Sequence, residues 1–318
     1  MRSRTGYTGA PDFWTAPSAT SPLPVVNGDN AMTIATAYAC IRAIATTVAM
    51  LPKGINATSD NGRTLAADHP AHRLIAERPN PYQTPFEFFE RMETAAQIYG
   101  RGVAIITRDP ATATPLRLDQ VPTPNVRFLT YDGVPVVDVN GEPYNFADVL
   151  VFSALGNLSP IELHAQTLGL TKRVEKYGAD FFESGHLLGV LSSDGTLTEA
   201  QMEALRTAWA KTSKKGVKVL PVGVKYSAIS LPPEQTQFLT TRKYQDETVC
   251  TIFGVPPRVV GVNTQDTKTN GEEQARNFAQ RTILPRTETI RQELAQKLIP
   301  EMDRPTFEPS IDLRDPTR

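Results

Sequence analysis

Between residues 33 and 51 apolar side chains return at near-helical spacing, with Ile34, Tyr38, Ile41, Val48 and Leu51 on one side, before Pro52 and Gly54 stop the pattern. This predicts a packed, central helix. At residues 84–87 the run Thr-Pro-Phe-Glu supplies an N-cap hydroxyl, a proline at the first helical position and a glutamate three residues after the cap. The orphan amides therefore have partners, and a helix is expected to run to Gly100 with Phe86, Phe89 and Ile98 on its buried side. Residues 102–107, 126–130, 134–139 and 149–152 are rich in Val, Ile and Phe and read as strands. Asp132-Gly133 and Asn140-Gly141 supply left-handed turn residues for antiparallel hairpins between them.

Ser159-Pro160-Ile161-Glu162 repeats the cap, proline and glutamate device, and the helical pattern continues to Ser184-Gly185. About 25 residues at 1.5 Å rise predict a rod of roughly 38 Å. A short apolar strand at 187–191, a helix opened by Thr198 and strand candidates at 217–220 and 222–227 then predict a small α/β insertion. A second long helix is expected from about Pro233 to Phe253, ended by Gly254 and blocked by Pro256-Pro257. After the run GVNTQDTKTNGEEQ, residues 261–274, in which Val262 is the one apolar residue, a helix restarts at Asn270, is kinked or broken by Pro285 and ends near Ile299. Residues 1–30, with Pro11, Pro17, Pro22 and Pro24 among Ser, Thr and Gly, read as a flexible arm. The pattern is α+β.

Composition narrows the class. A chain of 318 residues, 40% hydrophobic and 21% charged, can bury a real core. Its 33 Lys+Arg against 34 Asp+Glu leave a formal charge of -1, so no global field draws it to nucleic acid or to an anionic membrane. Cys40 and Cys250 are far apart in sequence, which speaks against a disulfide framework or thiolate metal site and fits a reducing cytoplasm. Residues 31–51 carry one charge, Arg42, but are mostly Ala and Thr, and they read as a soluble helix with no membrane role and no secretory signal before it.

The handles of nucleotide, dinucleotide, serine-hydrolase and zincin chemistry are absent from the sequence. An unrecognised metal-dependent α/β enzyme would have to use Asp68, His69 and His72. Pro70 denies that stretch a helical i,i+3 face and no fourth ligand is near, so a structural role is expected and no cofactor. His164 and His186, near the ends of the first long helix, read as capping partners, and Glu272 and Glu273 as first-turn acids. One cluster stands apart: Arg206, Lys211, Lys214, Lys215, Lys218 and Lys225 fall in a stretch without an acidic residue. Such a cluster is either a solvated face or a surface for an acidic partner or phosphates.

Several stretches, taken in order, resemble the tailed-bacteriophage portal proteins: YACIRAIATTVAMLP (38–52), HPAHRLIAERPNPYQTPFEFFERM (69–92), YGRGVAIITRD (99–109), SPIE with its helix (159 onward), FFESGHLLGVL (181–191), QFLTTRKYQDETVCTIFGVPPRVVGV (237–262) and NGEEQARNFAQRTILP (270–285). The resemblance implies a portal-type subunit. It gives a flexible arm at 1–30, a mixed α/β wing at 31–158, stem helices at 159–186 and 232–254, a clip at 187–231, a tunnel loop with the wing helix behind it at 255–300, and at 301–318 a return toward a crown that is absent or truncated. It further implies a homo-oligomeric, dodecameric ring at one capsid vertex of the virion. Double-stranded DNA passes through such a ring without sequence readout, and the large terminase subunit, capsid and head-completion or adaptor proteins are its partners. A smaller head-tail ring adaptor is the alternative that shares oligomery. On this mapping Asn263, Thr264, Gln265, Asp266, Thr267, Lys268, Thr269 and Asn270 line the channel. The basic cluster becomes the terminase-docking clip. The pairing of Lys268 with a nearby Asp266 suits transit, because each cation on the wall would release counterions and tighten DNA binding.

Overall fold

The computed structural model describes residues 26–59, 62–131, 133–184, 189–193, 195, 198–211, 224–228, 234–262 and 268–312. They form two compact units, one from residues up to Gly169 together with those from Asp246 onward, the other from Leu170–Gln245.

The first unit is organised around helix α1, Ala35–Met50, and helix α2, Pro85–Tyr99. Ala37, Cys40, Ile41, Ile44, Ala45 and Val48 of α1 are buried, the apolar stripe that helical periodicity requires. Tyr38, expected on that stripe, is instead exposed. It lies about 100° round the helix from Ala37 and carries the Arg42 guanidinium 5.7 Å from its ring centre. Ordered packing also begins earlier than the composition of residues 1–30 suggests. Val26 is buried, and Asn27 caps the short helix Gly28–Ala31.

α2 opens with a reciprocal cap. The Glu87 amide donates to the Thr84 hydroxyl at 3.2 Å, the Thr84 amide donates to Glu87 Oε2 at 2.9 Å, and Gly100 closes the helix with φ 82°. Its buried aromatic pair is Phe88 and Phe89, stacked edge to face at 5.6 Å, with Phe152 a further 5.6 Å from Phe89. Phe86 is exposed, because it sits in the first turn at the edge of the stripe carried by Phe88, Phe89, Met92 and Ala96.

Strands β1, Lys53–Ser59, and β2, Gly62–Leu65, pair antiparallel, and strand Phe307–Ile311 adds to the other side of β1. The segment 301–318, expected to return toward a crown, thus contributes a strand to the first unit's own sheet. β3, Arg101–Arg108, lies between β4, Pro115–Val121, and β8, Val149–Ser153. β5, Val126–Tyr131, β6, Val134–Val139, and β7, Glu142–Asn145, form a third sheet. Its hairpins turn where expected: Tyr131 pairs Val134, and Val139 pairs Glu142 across Asn140 (φ 55°) and Gly141 (φ 90°), the two positive angles a tight two-residue turn demands. Val103, Val137, Val139, Val149 and Val151 form a smaller core of their own.

Helix Leu284–Leu298 buries Ile290, Leu294 and Leu298. From its first turn Arg286 reaches Glu93 of α2, donating from Nε to Oε1 at 2.9 Å and from Nη2 to Oε2 at 2.7 Å, and it also donates to the Ser153 carbonyl. Glu93 is fully buried and accepts a further hydrogen bond from Gln97 at 2.8 Å.

Lys53 donates from Nζ to the Ala49 and Leu51 carbonyls at 2.7 Å each and stands 4.5 Å over the Phe89 ring, satisfying the end of α1. Burial pushes its ammonium down to about 8. An unfolded chain keeps that proton to roughly pH 10. Between those values unfolding takes up a proton, so this group adds stability as pH rises through the window. The wild-type urea midpoint, measured against a Lys53→Met variant, is therefore expected to climb between about pH 7.5 and 9.5. A flat or falling difference would remove Lys53 as the cause.

In the second unit the residues of helix Ala165–Ser184 and of helix Glu234–Phe253 run antiparallel. Thr171 Oγ1 donates to Gln245 Oε1 at 3.4 Å, and Glu175 pairs with Arg242 at 3.7 Å, so numbering rises on one rod as it falls on the other. The first rod is shorter than its pattern indicates. Ser159 caps Pro160–Leu163, the chain breaks at His164 (φ -110°, ψ 23°), and the continuous helix that follows has 20 residues, about 30 Å. The cause is tertiary: Ser159 donates to the Ile98 carbonyl at 2.6 Å and Ile161 is buried, which fixes the first turn independently of the rod. His164 therefore sits at the break, and His186 lies outside the described residues. Helix Glu199–Lys211 starts where Thr198 donates its amide to Gln201 Oε1 at 2.9 Å, and strand β9, Gly189–Ser193, pairs antiparallel with β10, Val224–Ala228. The candidate strand at 217–220 lies outside the described residues.

Candidate functional site

The polar connection is held at both ends by apolar anchors. Helix Glu234–Phe253 ends at Gly254 (φ 65°), Val255 is buried, and Pro256-Pro257 leads into a single turn, Pro257–Val260, closed by Gly261 (φ 79°). Val260 and Val262 pack against the main core. On the far side helix Lys268–Phe278 begins, two residues before the expected restart at Asn270, and buries Phe278 at its end. Lys268, Thr269 and Asn270 thus form its first turn, whereas Asn263, Thr264, Gln265, Asp266 and Thr267 lie outside the described residues. The quoted run is consequently less of a loop than its polarity suggests, since Gly261 and Val262 belong to the anchor before it and residues 268–274 to the helix after it.

Two contacts that the sequence did not reveal fix this geometry. A Cβ on Gly271 would meet Arg258 Nε at 3.2 Å and Cζ at 3.3 Å, so the helix backbone lies against the guanidinium and glycine permits the approach. Helix Lys268–Phe278 then passes into a wider π-helical turn, Ala279–Ile283, before helix Leu284–Leu298 takes Pro285 into its first turn. In that π turn Thr282 donates to the Gly254 carbonyl, satisfying one of the groups left open where helix Glu234–Phe253 ends. Pro285 was the only signal that the helix is interrupted, and the interruption falls just before it.

The basic cluster divides. Arg206 and Lys211 lie on helix Glu199–Lys211, Lys211 as its last residue. Lys225 is an exposed residue of β10, opposite Ser192 of β9. Lys214, Lys215 and Lys218 lie outside the described residues.

Of the Asp68, His69 and His72 set, the two histidines are engaged by backbone amides. His69 caps the short helix Pro70–His72, its Nδ1 accepting from the Ala71 amide at 3.1 Å, and packs on Phe307 at 4.9 Å. Burial pushes its imidazole pKa down. His72 is buried and accepts from the Ile55 amide at 3.3 Å. Both Nδ1 lone pairs are thus used by the backbone, and among the described residues no group of three or more His, Cys, Asp and Glu is gathered to hold a metal ion. Among them, too, no helix is long and apolar enough to cross a membrane.

The described residues form a mixed helix-and-sheet fold in which two 20-residue helices stand, in sequence, on either side of a small α/β element. A family model described as phage portal protein matches residues 35–316, and the chain belongs to that family. Among its relatives is the portal protein of Enterobacteria phage HK97, 27% identical over 299 residues that cover 87% of this chain and 70% of that one. The fold resembles the crystal structure of an HK97 family phage portal protein from Corynebacterium diphtheriae, with a TM-score of 0.70 at 16% identity over 92% of this chain and 96% of that one. It also resembles a chain in the neck of a native gene transfer agent particle computed with C12 symmetry, with a TM-score of 0.61 at 19% identity over 93% of this chain and 87% of that one.

Proposed function

We propose that this protein assembles with copies of itself into a twelve-membered ring at one vertex of a phage capsid, and that double-stranded DNA is packaged and later ejected through its centre. Family membership across residues 35–316 carries this reading. The fold shared with a chain of a C12-symmetric neck supports the number twelve. In this scheme residues 31–158 are the wing, the two 20-residue helices the stem, residues 187–231 the clip, and residues 263–270 the part of the wall that faces DNA. The anchors on both flanks of that stretch favour the last assignment, because Val262 and Phe278 hold its ends against the core. The subunit catalyses nothing itself. The large terminase subunit, docked on the clip, hydrolyses ATP to drive the DNA, and capsid and head-completion proteins complete the vertex of the virion.

Particle imaging and native mass measurement of the purified chain are expected to show rings with an axial hole. A monomer at every concentration, carrying a metal-dependent activity, would overturn the reading. For the clip, reversing Lys214 and Lys215 to glutamate is expected to leave rings intact and to weaken terminase binding by about tenfold or more, with a shallower salt dependence. Unchanged motor binding by that double variant would remove the docking role of the two lysines while leaving the ring untouched.

A further inference from the structure

Cys40 and Cys250 are 210 positions apart in the chain, yet their sulfurs face each other at 3.9 Å. Both side chains are fully buried. Cys40 lies mid-way along α1 and Cys250 near the end of helix Glu234–Phe253. One turn earlier on each helix the Thr36 hydroxyl donates to the Asp246 carboxylate. Contacts of residues 36 with 246 and 40 with 250 mean that the helices run parallel here and that a polar bond holds the register facing the two thiols. Their distance in sequence, which speaks against a disulfide framework, conceals this contact.

We propose that Cys40 and Cys250 form an intramolecular disulfide when the protein meets a peroxide oxidant. The sulfurs must approach from 3.9 Å to about 2.05 Å, which side-chain rotation and a small helix adjustment can supply. One thiol gives up its proton and its thiolate attacks a peroxide oxygen. The O–O bond breaks, leaving a sulfenic acid and one water once the departing oxygen is protonated. The second sulfur then attacks the first, the S–O bond breaks, and a second water leaves with the remaining thiol proton. Two thiols and one hydrogen peroxide thus give one disulfide and two waters; the pair of sulfurs loses two electrons and the peroxide gains them.

The surroundings make this slow rather than forbidden. The hydrogen bond that Cys40 donates to Cys250, with burial, pushes the Cys40 thiol well above its usual range, while the same bond holds the Cys250 thiol down and makes its sulfur the one that attacks. Because both side chains are fully buried, peroxide reaches them seldom, and the pair closes during long rather than brief exposure. The chemistry is independent of the portal reading, which bears only on timing, since a virion component leaves the reducing host interior at lysis. Once closed, the bond ties α1 to the C-terminal end of helix Glu234–Phe253 and joins the two sequence-distant parts of the first unit.

The test uses the full chain, incubated with hydrogen peroxide for minutes to days, then denatured, alkylated and weighed, with non-reducing peptide mapping. The expected product has lost two hydrogens, resists alkylation until dithiothreitol is added, and yields a peptide joining Cys40 to Cys250. Its thermal midpoint rises by several degrees and falls back on reduction. Cys40→Ser and Cys250→Ala are each expected to show neither the mass loss nor the shift. Full alkylation of both thiols in the long-treated wild-type chain, separate oxygen adducts on the two sulfurs, or a bond between chains instead of within one would each overturn the proposal, whatever the stability of the variants.

Discussion

Replacing Glu93 by leucine is expected to destabilise the monomeric subunit by about 3–5 kcal/mol, because it leaves the Arg286 guanidinium in the interior without its carboxylate. Glu93 is fully buried and the Arg286 side chain is 15% exposed, so water can replace little of what is lost. Both guanidinium-to-carboxylate bonds would go, along with the Gln97 bond. Chemical denaturation gives the measurement. Adding Arg286→Met to Glu93→Leu is expected to restore much of the loss, since a matched apolar pair carries no buried charge. A Glu93→Leu subunit within about 1 kcal/mol of wild type would show that α2 and helix Leu284–Leu298 are held together by apolar packing alone.

The second large effect is expected at Gly102. A Cβ placed there would stand 2.0 Å from the Met92 carbonyl oxygen and 2.8 Å from its carbon, both backbone atoms of α2 that no rotamer change can move. Gly102 is buried in the central strand β3, paired with Phe152, so neither element can retreat without opening the main core. Gly102→Ala is therefore expected to cost about 3 kcal/mol or more, or to prevent folding altogether. Gly195, which has open space around its would-be Cβ, is the control, and Gly195→Ala is expected to stay within about 0.5 kcal/mol of wild type. Soluble expression and the urea midpoint of the two alanine variants decide the matter, and equal midpoints would refute the close packing of β3 on α2.

Elements governed by local rules were legible in the sequence. Thr84 and Glu87 cap α2 because their donors and acceptors lie within one turn, and Asn140-Gly141 turns its hairpin because the angles belong to those two residues. Elements decided by distant partners were not. β4 leaves Leu116 exposed and Leu118 buried where regular alternation would give both one face, because the register with β3 shifts beside Leu116. With Arg117 and Asp119 its composition reads as loop until β3 pairs with it. Strand Phe307–Ile311 contains Pro309, which an edge strand tolerates. The break at His164 has no glycine or proline to announce it; it arises from the bond between Ser159 and Ile98, 61 residues away. For the candidate site, the sequence marked the polar stretch and its proline-blocked entry, while the support from Arg258 beneath Gly271 and from Thr282 at Gly254 depends on contacts no spacing encodes.

The π-helical turn at Ala279–Ile283 has a geometric consequence for everything after it. Such a turn accommodates one residue more than an α-helical turn, and one residue of an α-helix corresponds to about 100° of rotation. Ile290, Leu294 and Leu298 therefore meet the sheet with a phase that an unbroken helix from Lys268 would not provide. Deleting a single residue there would regularise the backbone and at the same time swing the apolar face of the following rod away from its seat, so the irregular turn works as a fixed angular offset between two screw threads cut on one shaft.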